Sequence, residues 1–291
     1  MTPRLLGLFL VLGANLCFSL GGLWTRLAAV DAWTNTFWRS LFMALTILAF
    51  LMARDGRASL GRIRAIGWAG VLSGLLLSLC FIGYLMSLQH TLVARAVVFM
   101  SLGPLFAALF GRLVLGERLS PVTVAAFAVA GGGVAMMVGE GFVPGGGFAG
   151  DLFALLVAVA FAANIVVLRR AAHVDMLPAA LVAGAISMAA CLPFADLSPP
   201  AGAMGWLVLL GTVQLAGGLL LFLAGAPKLT AAETGMLSLT EAVLAVIWVA
   251  AFLGELPSAA TLIGGAVVIA GVAINAAGTG WRRTSPRAAA A

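Results

Sequence analysis

Ten apolar stretches, each long enough to form a membrane-crossing helix, divide this sequence from end to end. A helix needs about 20 apolar residues to cross a hydrocarbon layer of about 30 Å. The stretches cover approximately residues 5–26, 33–53, 66–88, 92–111, 121–139, 149–169, 177–195, 204–225, 230–252 and 258–278. Because 63% of the residues are hydrophobic and only 9% are charged, no room remains for a second, water-soluble domain. We therefore predict an all-α integral membrane protein with ten transmembrane helices.

Basic and acidic residues segregate between the connections on the two sides of these helices. If the spans alternate in direction, one side carries the basic residues Arg4, Arg54, Arg57, Arg62, Arg64, Arg112, Arg118, Arg169, Arg170, Lys228, Arg282, Arg283 and Arg287. The opposite connections carry the acids Asp31, Glu140, Asp196 and Glu255. Positive residues favour the cytoplasmic side of a membrane. The pattern therefore predicts a multi-pass protein with both termini in the cytoplasm.

A short motif recurs after the fourth and ninth spans. Residues 115–120 read LGERLS and residues 253–258 read LGELPS, so that Glu117 and Glu255 lie 138 positions apart. This separation corresponds to five spans, and a unit with an odd number of spans enters the membrane from opposite faces in its two copies. The second copy lacks the arginine of the first, Arg118, as expected on a non-cytoplasmic side. We therefore predict two inverted five-helix repeats.

Three further motifs accompany the Gly116-Glu117 and Gly254-Glu255 pairs. They are Phe37-Trp38-Arg39 in the second span, Gly103-Pro104-Leu105 in the fourth and Glu241-Ala242-Val243 in the ninth. In the order and spacing of these motifs, the chain resembles the EamA-type transporters of the drug/metabolite transporter superfamily over essentially its whole length. The family commonly has proline at the position of Ala242, so a helix break there does not carry over to this sequence.

The resemblance implies two EamA-like five-helix repeats, residues 1–139 and 149–280, and a basic cytoplasmic tail, residues 281–291. It also implies a central substrate cavity between the repeats and transport by alternating access. Members of the superfamily carry amino acids, nucleotide sugars, other metabolites and toxic compounds. We expect export of small metabolites such as amino acids, with a proton-coupled uptake carrier and a multidrug efflux protein as the alternatives.

Few ionisable residues lie within the predicted spans, and each is a candidate for the transport pathway because a charge at mid-membrane is costly. Glu241 is the deepest acid, about 17 Å from the cytoplasmic end of the ninth span. It either lines the cavity, binding a cationic group or a proton, or pins two helices together as a neutral carboxyl. Arg39 and Arg95, about two turns and one turn below the outer surface, would attract anions into the outer half of a cavity. The alternatives are a helix-end contact for Arg39 and an ordinary interfacial position for Arg95.

Uncharged polar and aromatic side chains complete the candidate substrate-binding set. Asn15, Asn164 and Gln214 lie near mid-span depth, where a side-chain amide bonds either a solute or another helix. Trp38 and Trp248 offer stacking surfaces to a solute, although tryptophan is also common at both membrane interfaces.

Pro104 interrupts the fourth span near its middle. Proline has no amide hydrogen to donate to the carbonyl of Met100, and its ring opens that turn. Because broken helices at membrane depth usually line cavities, we expect a helix break at Pro104 beside the substrate path. Proline kinks also occur in purely structural helices.

An intramembrane enzyme is the main competing class, and the sequence lacks the residue clusters that it would need. His90 and His173 fall at opposite membrane faces in the predicted topology. Cys17, Cys80 and Cys191 lie within apolar stretches and lack metal-ligand spacing. The sequence contains no phosphate-binding Gly-Lys-Ser/Thr loop for ATP-driven pumping. We therefore predict a carrier that is not an enzyme and that holds no metal or other cofactor.

The expected partners are a small-molecule solute, the lipid bilayer and, in the proton-coupled alternative, protons. The net charge of +6 comes from short basic clusters between apolar stretches, which indicates membrane topology and argues against nucleic-acid binding. Small residues such as Gly70 and Gly74 allow close helix packing, and we expect a monomer or a homodimer. A composition rich in Ala and Gly, with Arg far above Lys, favours the bacterial inner (plasma) membrane.

Overall fold

The computed structural model describes residues 2–116, 121–141, 147–171, 174–229 and 231–284, and the regular secondary structure in these ranges is helical. The α-helices are α1 (Pro3–Ala28), α2 (Ala32–Asp55), α3 (Ser59–Ala65), α4 (Gly67–His90), α5 (Val93–Met100), α6 (Gly103–Leu115), α7 (Pro121–Gly141), α8 (Phe148–Arg170), α9 (Ala179–Cys191), α10 (Ala201–Leu209), α11 (Gly218–Gly225), α12 (Ala231–Leu253) and α13 (Ala259–Thr284). A π-helical segment, Leu210–Gly217, joins α10 to α11.

The long apolar helices confirm the predicted all-helical membrane architecture. Within the described ranges, six helical segments are long and apolar enough to cross a membrane, namely Pro3–Ala28, Ala32–Ala58, Gly67–His90, Val93–Val114, Phe148–Arg170 and Ala201–Lys228. Shorter apolar helices lie at Pro121–Met136, Ala179–Cys191, Thr240–Leu253 and Ala259–Ile274. Each of these segments overlaps one of the stretches that the sequence predicts to be a span.

The boundaries of two helical segments repeat along the chain at the separation of 138 positions that the Gly-Glu motifs show. The pair α5 and α6 runs from Val93 to Leu115, and α12 runs from Ala231 to Leu253, so both ends are 138 positions apart. Gly116 and Gly254 end these helices with φ values of +70° and +66°. Glycine suits such a left-handed position because it has no Cβ to clash with the backbone. The glycine of each Gly-Glu motif therefore stops its helix in the same way.

The two copies differ where the first has a proline. The span is broken between α5 and α6, and Pro104 is the second residue of α6, at a position where a missing amide hydrogen costs least. Ser101 N donates to Val97 O at 3.0 Å, and Leu102 N donates to Phe99 O at 3.2 Å, which closes the end of α5 as a tight turn. At the corresponding position α12 continues through Ala242 without a break.

Side-chain contacts gather one set of helix termini at one end of the bundle, here called the Arg54 end. Arg54 Nη2, at the end of α2, lies 2.6 Å from Asp175 Oδ2 in the connection between α8 and α9. Arg170 Nη2, at the end of α8, donates to Val114 O at the end of α6 at 2.9 Å. The glycine stop at Gly116 therefore belongs to the Arg54 end.

A second set of contacts lies at the other end of α2, here called the Glu255 end. Arg26 Nε, near the end of α1, lies 3.3 Å from Glu255 Oε2. Val93 N, at the start of α5, donates to Glu255 Oε1 at 2.6 Å. Because α1 leads directly into the start of α2, the glycine stop at Gly254 lies at the opposite end of the bundle from Gly116.

Small residues allow the helices to approach closely. A methyl group on Gly133 of α7 would lie 2.5 Å from the backbone oxygen of Gly264 in α13, and one on Gly74 of α4 would lie 2.6 Å from the Val182 side chain of α9. Neither position has space for a larger residue. Lipid is as apolar as a leucine side chain, so close packing of this kind is what drives helices together in a membrane.

Candidate functional site

Arg39 is buried in α2 between two aromatic rings. Its side-chain carbon Cζ lies 5.1 Å from the ring centre of Tyr84 and 5.7 Å from that of Phe81, both on α4. The residue is only 4% exposed, and its Nε and Nη1 atoms have no hydrogen-bond partner in the described chain. Aromatic faces attract a cation but accept no strong hydrogen bond from it. The guanidinium therefore keeps donors that an anionic group can use.

The N-terminus of α2 sets the depth of Arg39. Asp31 caps this helix, because its Oδ1 accepts hydrogen bonds from Trp33 N at 2.9 Å and Thr34 N at 3.0 Å. Such a cap stabilises a helix start by satisfying amide groups that lack a partner inside the helix. Arg39 follows the first helical residue by about 10 Å along the axis. This distance places the guanidinium below the Glu255 end, inside the bundle.

Tyr84 and Gln214 converge on the backbone of α1. A methyl group on Gly21 would lie 2.6 Å from Tyr84 Oη and 3.0 Å from Gln214 Nε2. The absence of a side chain at Gly21 therefore makes room for a phenol from α4 and an amide from the π segment at one point. Sequence reasoning missed Tyr84, although it is the only tyrosine in the chain and lies in the third span.

The π-helical segment presses Gln214 and its neighbours against α2. A methyl group on Gly211 would lie 2.7 Å from the Arg39 carbonyl oxygen and 2.5 Å from Phe42 Cβ. Gln214 itself is buried, and its Oε1 has no hydrogen-bond partner among the described residues. Short π-helical segments are rare and occur frequently at functional sites. Here the segment brings an acceptor, Gln214 Oε1, to the same region as the donors of Arg39.

Glu241 lies half-buried on α12, about 15 Å along the axis from the start of that helix. Its carboxyl group makes no ion pair or hydrogen bond with the described part of the chain. The turn before it is held by Asn15 of α1, whose Nδ2 donates to Leu237 O at 2.7 Å and to Thr240 Oγ1 at 3.4 Å. Asn15 thus bonds a neighbouring helix, whereas Glu241 is left for a solute or a proton.

The hydroxyl group of Tyr84 is influenced by the charges of Arg39 and Glu241. Arg39 and Glu241 each act on its hydroxyl, one as a cation and the other as an anion. Arg39 and Tyr84 belong to the first half of the chain, and Gln214 and Glu241 belong to the second. One phenol is therefore influenced by groups of opposite charge that come from different halves of the chain. This arrangement suits a small solute that carries both a cationic and an anionic group.

Asn164 and Trp248 make hydrogen bonds between helices. Asn164 Oδ1 on α8 accepts a hydrogen bond from Ser73 Oγ on α4 at 2.6 Å, and both residues are buried. Trp248 Nε1 on α12 donates to Ser19 Oγ on α1 at 3.0 Å. Substrate binding by either residue stays a prediction.

Trp38 faces the Glu255 end of the bundle. Its Nε1 donates to the carbonyl of Asp196 at 3.0 Å, in the connection between α9 and α10. Its ring is stacked on Phe42 with centroids 5.9 Å apart. A solute contact of Trp38 also stays a prediction.

Arg95 is paired with an acid that sequence reasoning missed. Its Nη2 and Nε contact Asp151 Oδ2 and Oδ1, and Thr91 Oγ1 donates to Asp151 Oδ1 at 3.2 Å. Arg95 and Asp151 are both nearly inaccessible to solvent. The ion pair balances the charge of Arg95, so its contribution to an anion-attracting field is smaller than that of Arg39. Asp151 lies in the first turn of α8, and its position inside an apolar stretch was the signal that could have identified it.

Several predicted residues lie outside what the structure describes. They are Glu117, Arg118 and His173, the side chains of Glu140, Arg282 and Arg283, and Arg287 in the tail. In the described part of the chain, no group of three or more His, Cys, Asp and Glu residues is arranged to hold a metal ion.

Comparison with known proteins assigns the chain to a family. The model of the EamA-like transporter family matches residues 5–139 and again residues 148–277. One solved crystal structure, described only as that of a protein, aligns with 97% of this chain and 100% of its own at a TM-score of 0.68 and 23% identity, which shows the fold alone. No curated protein matches the chain. Because the family model matches it in two successive copies, this all-helical, multi-pass membrane protein belongs to the EamA-like transporter family.

Proposed function

We propose that this protein exports small zwitterionic metabolites such as amino acids by alternating access. The observation that carries the proposal is the arrangement of Arg39 and Glu241 around Tyr84. The free donors of a guanidinium suit a carboxylate, and a carboxyl group without a partner suits an ammonium. An amino acid offers both groups within a few ångströms of each other.

The origin of the site residues supports alternating access. Arg39 and Tyr84 lie on α2 and α4 of the first repeat, whereas Gln214 and Glu241 lie on the π segment and α12 of the second. If one repeat rocks against the other, the distances between these groups change and the solute is exposed to one face at a time. A site within a single repeat would not respond to such a motion.

The proposed membrane arrangement has ten spanning helices in two inverted units, with both termini in the cytoplasm of a bacterial cell. The opposite positions of Gly116 and Gly254 in the bundle support the inversion. The connections at the Arg54 end carry the basic residues that favour the cytoplasmic side. The Glu255 end would then face away from the cytoplasm.

A second candidate function is proton-coupled transport, and the environment of Glu241 favours it. A carboxyl group without a partner in the membrane is more stable in its neutral form. Its protonation would alternate with the arrival of the solute ammonium. Coupling of this kind drives either uptake or export, depending on the direction of the gradient.

The proposal is tested by reconstituting the purified protein into liposomes and measuring counterflow of radiolabelled solutes. The panel contains the 20 common L-amino acids, organic cations such as tetraphenylphosphonium, and dicarboxylates. We expect saturable counterflow of at least one amino acid, with weaker or no flux of solutes that have only one type of charge. Flux of organic cations alone would contradict the proposal and support multidrug efflux.

One test variant and one matched control variant accompany this experiment. Arg39→Gln removes a charge inside the proposed site and should reduce amino-acid counterflow strongly. Arg57→Gln removes the same charge from an exposed turn at the Arg54 end and should leave the counterflow near its original rate. Equal losses in both variants would point to a general effect of charge on insertion or yield.

A further inference from the structure

A separate cavity opens at the Glu255 end, between α1, α2 and α4. Its volume is about 190 Å³, and its polar lining residues are Thr25, Arg26, Asn35 and Gln89. No residue that lines it is acidic. The lining therefore combines hydrogen-bond donors with a positively charged group.

The polar groups of this cavity are not all satisfied by the described protein. Asn35 is fully buried, and both its Nδ2 and its Oδ1 lack a hydrogen-bond partner, as does Thr25 Oγ1. Gln89 Oε1 accepts from Ala32 N at 3.1 Å, which leaves the amide NH₂ group as the donor of that side chain. Buried polar groups are nearly always paired, so unpaired ones of this kind need a ligand or a water molecule. The amide of Asn35 and the hydroxyl of Thr25 are therefore the strongest candidates for ligand contacts.

Arg26 contributes charge to this cavity, although it is already paired. Its Nε lies 3.3 Å from Glu255 Oε2, and its Nη2 donates to Thr91 O at 2.9 Å. Glu255 also accepts a hydrogen bond from Val93 N, so that each of its carboxylate oxygens has a partner. Arg26 therefore adds positive charge to the lining of the cavity, but Asn35 and Thr25 are the stronger candidates for direct contacts with a ligand.

A line of buried polar groups leads from this cavity to Arg39. Asn35 precedes Arg39 by four residues on α2, so both lie on the same face of that helix, about 6 Å apart along its axis. On the facing helix α4, Ser87 follows Tyr84 by three residues, and its buried hydroxyl group has no hydrogen-bond partner in the described ranges. The cavity and the Arg39 site are thus joined by polar groups on two helices.

We propose that this cavity is a second, outer binding site that holds the carboxylate of the solute between the Arg39 site and the aqueous phase at the Glu255 end. The identity of the solute rests on the proposed function. Asn35 and Thr25 would donate to the carboxylate, and the charges of Arg39 and Arg26 would favour it over a cation.

The charge preference of the cavity can be measured without knowing the solute. Thr25 is replaced by cysteine in a chain in which Cys17, Cys80 and Cys191 are replaced by alanine. In lipid nanodiscs, the labelling rate of this cysteine is measured with an ethylsulfonate methanethiosulfonate and with its trimethylammonium analogue. The ratio of the two rates is divided by the same ratio for Ala201→Cys, an exposed position at the start of α10. We expect a preference for the anionic reagent of roughly tenfold, the size that one unpaired charge nearby produces.

Further variants identify the source of the preference. Arg39→Gln should reduce the ratio towards that of Ala201→Cys, whereas Arg57→Gln at the opposite end should leave it unchanged. Gln89→Cys, at the exposed rim of the same cavity, repeats the measurement if Thr25→Cys does not fold. A ratio equal to that at Ala201→Cys, a preference for the cation, or no labelling by either reagent would overturn the proposal.

The two proposals fail in different ways. An anion preference without amino-acid counterflow would retain the outer site and reject the proposed solute. Amino-acid counterflow without an anion preference would retain the proposed function and reject the outer site.

Discussion

Arg39 and Tyr84 lie 5.1 Å apart, measured from the guanidinium carbon to the ring centre, in the interior of the helix bundle. Arg95, which is buried to a similar degree, is instead held by the carboxylate of Asp151. One buried arginine therefore has its charge neutralised within the protein, whereas the other is stabilised by aromatic rings that leave hydrogen-bond donors free. This difference separates a structural arginine from one that is suited to a ligand.

Replacement of Arg39 should discriminate between solutes by their charge. Arg39→Gln removes a charge-assisted hydrogen bond worth about 1.5–3 kcal/mol, which corresponds to a rise in KM of about 10- to 150-fold for amino acids. Counterflow of the matching amino-acid amide, which has no carboxylate, should change much less. Arg39→Lys retains the charge and should recover part of the affinity. Equal losses for the acid and the amide would indicate a structural role for Arg39.

Replacement of Glu241 should separate proton coupling from solute exchange. Glu241→Gln cannot bind and release a proton, so solute accumulation driven by a pH gradient should disappear, while solute-for-solute exchange persists at a reduced rate. The carboxylate of Glu241 acts electrostatically on the hydroxyl of Tyr84, which Arg39 and Arg26 also influence. Asp196→Asn, an exposed acid at the Glu255 end, serves as the control and should retain coupling. An unchanged pH dependence in Glu241→Gln would exclude Glu241 as the coupling group.

Two buried amide side chains, Asn15 and Gln214, should respond differently to substitution. Asn15→Ala removes hydrogen bonds between α1 and α12, and such interhelical bonds contribute about 0.6 kcal/mol on average and at most about 1.7 kcal/mol. It should therefore lower the Tm in detergent. Gln214→Ala removes an acceptor that has no partner in the part of the chain that the structure describes, so it should raise KM while lowering the Tm less. A raised KM in Asn15→Ala together with a larger loss of Tm in Gln214→Ala would contradict the proposed role of Gln214.

The Arg95–Asp151 pair predicts a strong effect on stability. Arg95→Gln or Asp151→Asn breaks this buried ion pair, which costs about 3–5 kcal/mol. The double variant leaves two neutral amides and should recover a large part of this loss. The measurement is thermal unfolding of the purified variants in one detergent. Additive losses in the double variant would show that the two residues do not act as a pair.

The ion pair between Arg54 and Asp175 should make a small, pH-dependent contribution to the stability of the folded protein. Burial raises the pKa of Asp175, but hydrogen bonds from Arg54 and from Leu177 N outweigh this effect and hold the pKa below its usual value. Because the folded-state pKa lies below the unfolded-state pKa of about 3.9, the contribution is present above that pH and is lost as the pH falls through the folded-state pKa. The carboxylate is one-third exposed, so the contribution should stay below about 1 kcal/mol.

The matched variant for this effect is Asp175→Asn. It should lower the Tm slightly at pH 7, and the difference from the original protein should shrink as the pH falls through the folded-state pKa, below which the carboxyl group is protonated in both states. A difference that persists at low pH would assign the effect to packing.

The site could be predicted only in part. Glu241, Arg39 and Gln214 stand out in the sequence because charged and amide groups are rare in apolar stretches, and their role in solute binding stays a prediction. Tyr84 was missed because a tyrosine in a membrane helix is ordinary until its neighbours are known. The π-helical segment was also missed, since the apolar pattern of residues 204–225 does not reveal whether a hydrogen bond spans four or five residues.

The sequence by itself determined that the chain is built from apolar helices and which family it belongs to, because hydropathy and short motifs are local properties of the chain. Only the tertiary structure decided which polar residues are already satisfied. Asn15, Asn164 and Arg95 are bonded to other helices, whereas Arg39, Gln214 and Asn35 retain unpaired atoms. Whether a buried group has a partner depends on residues from distant parts of the chain, and no local pattern contains that information.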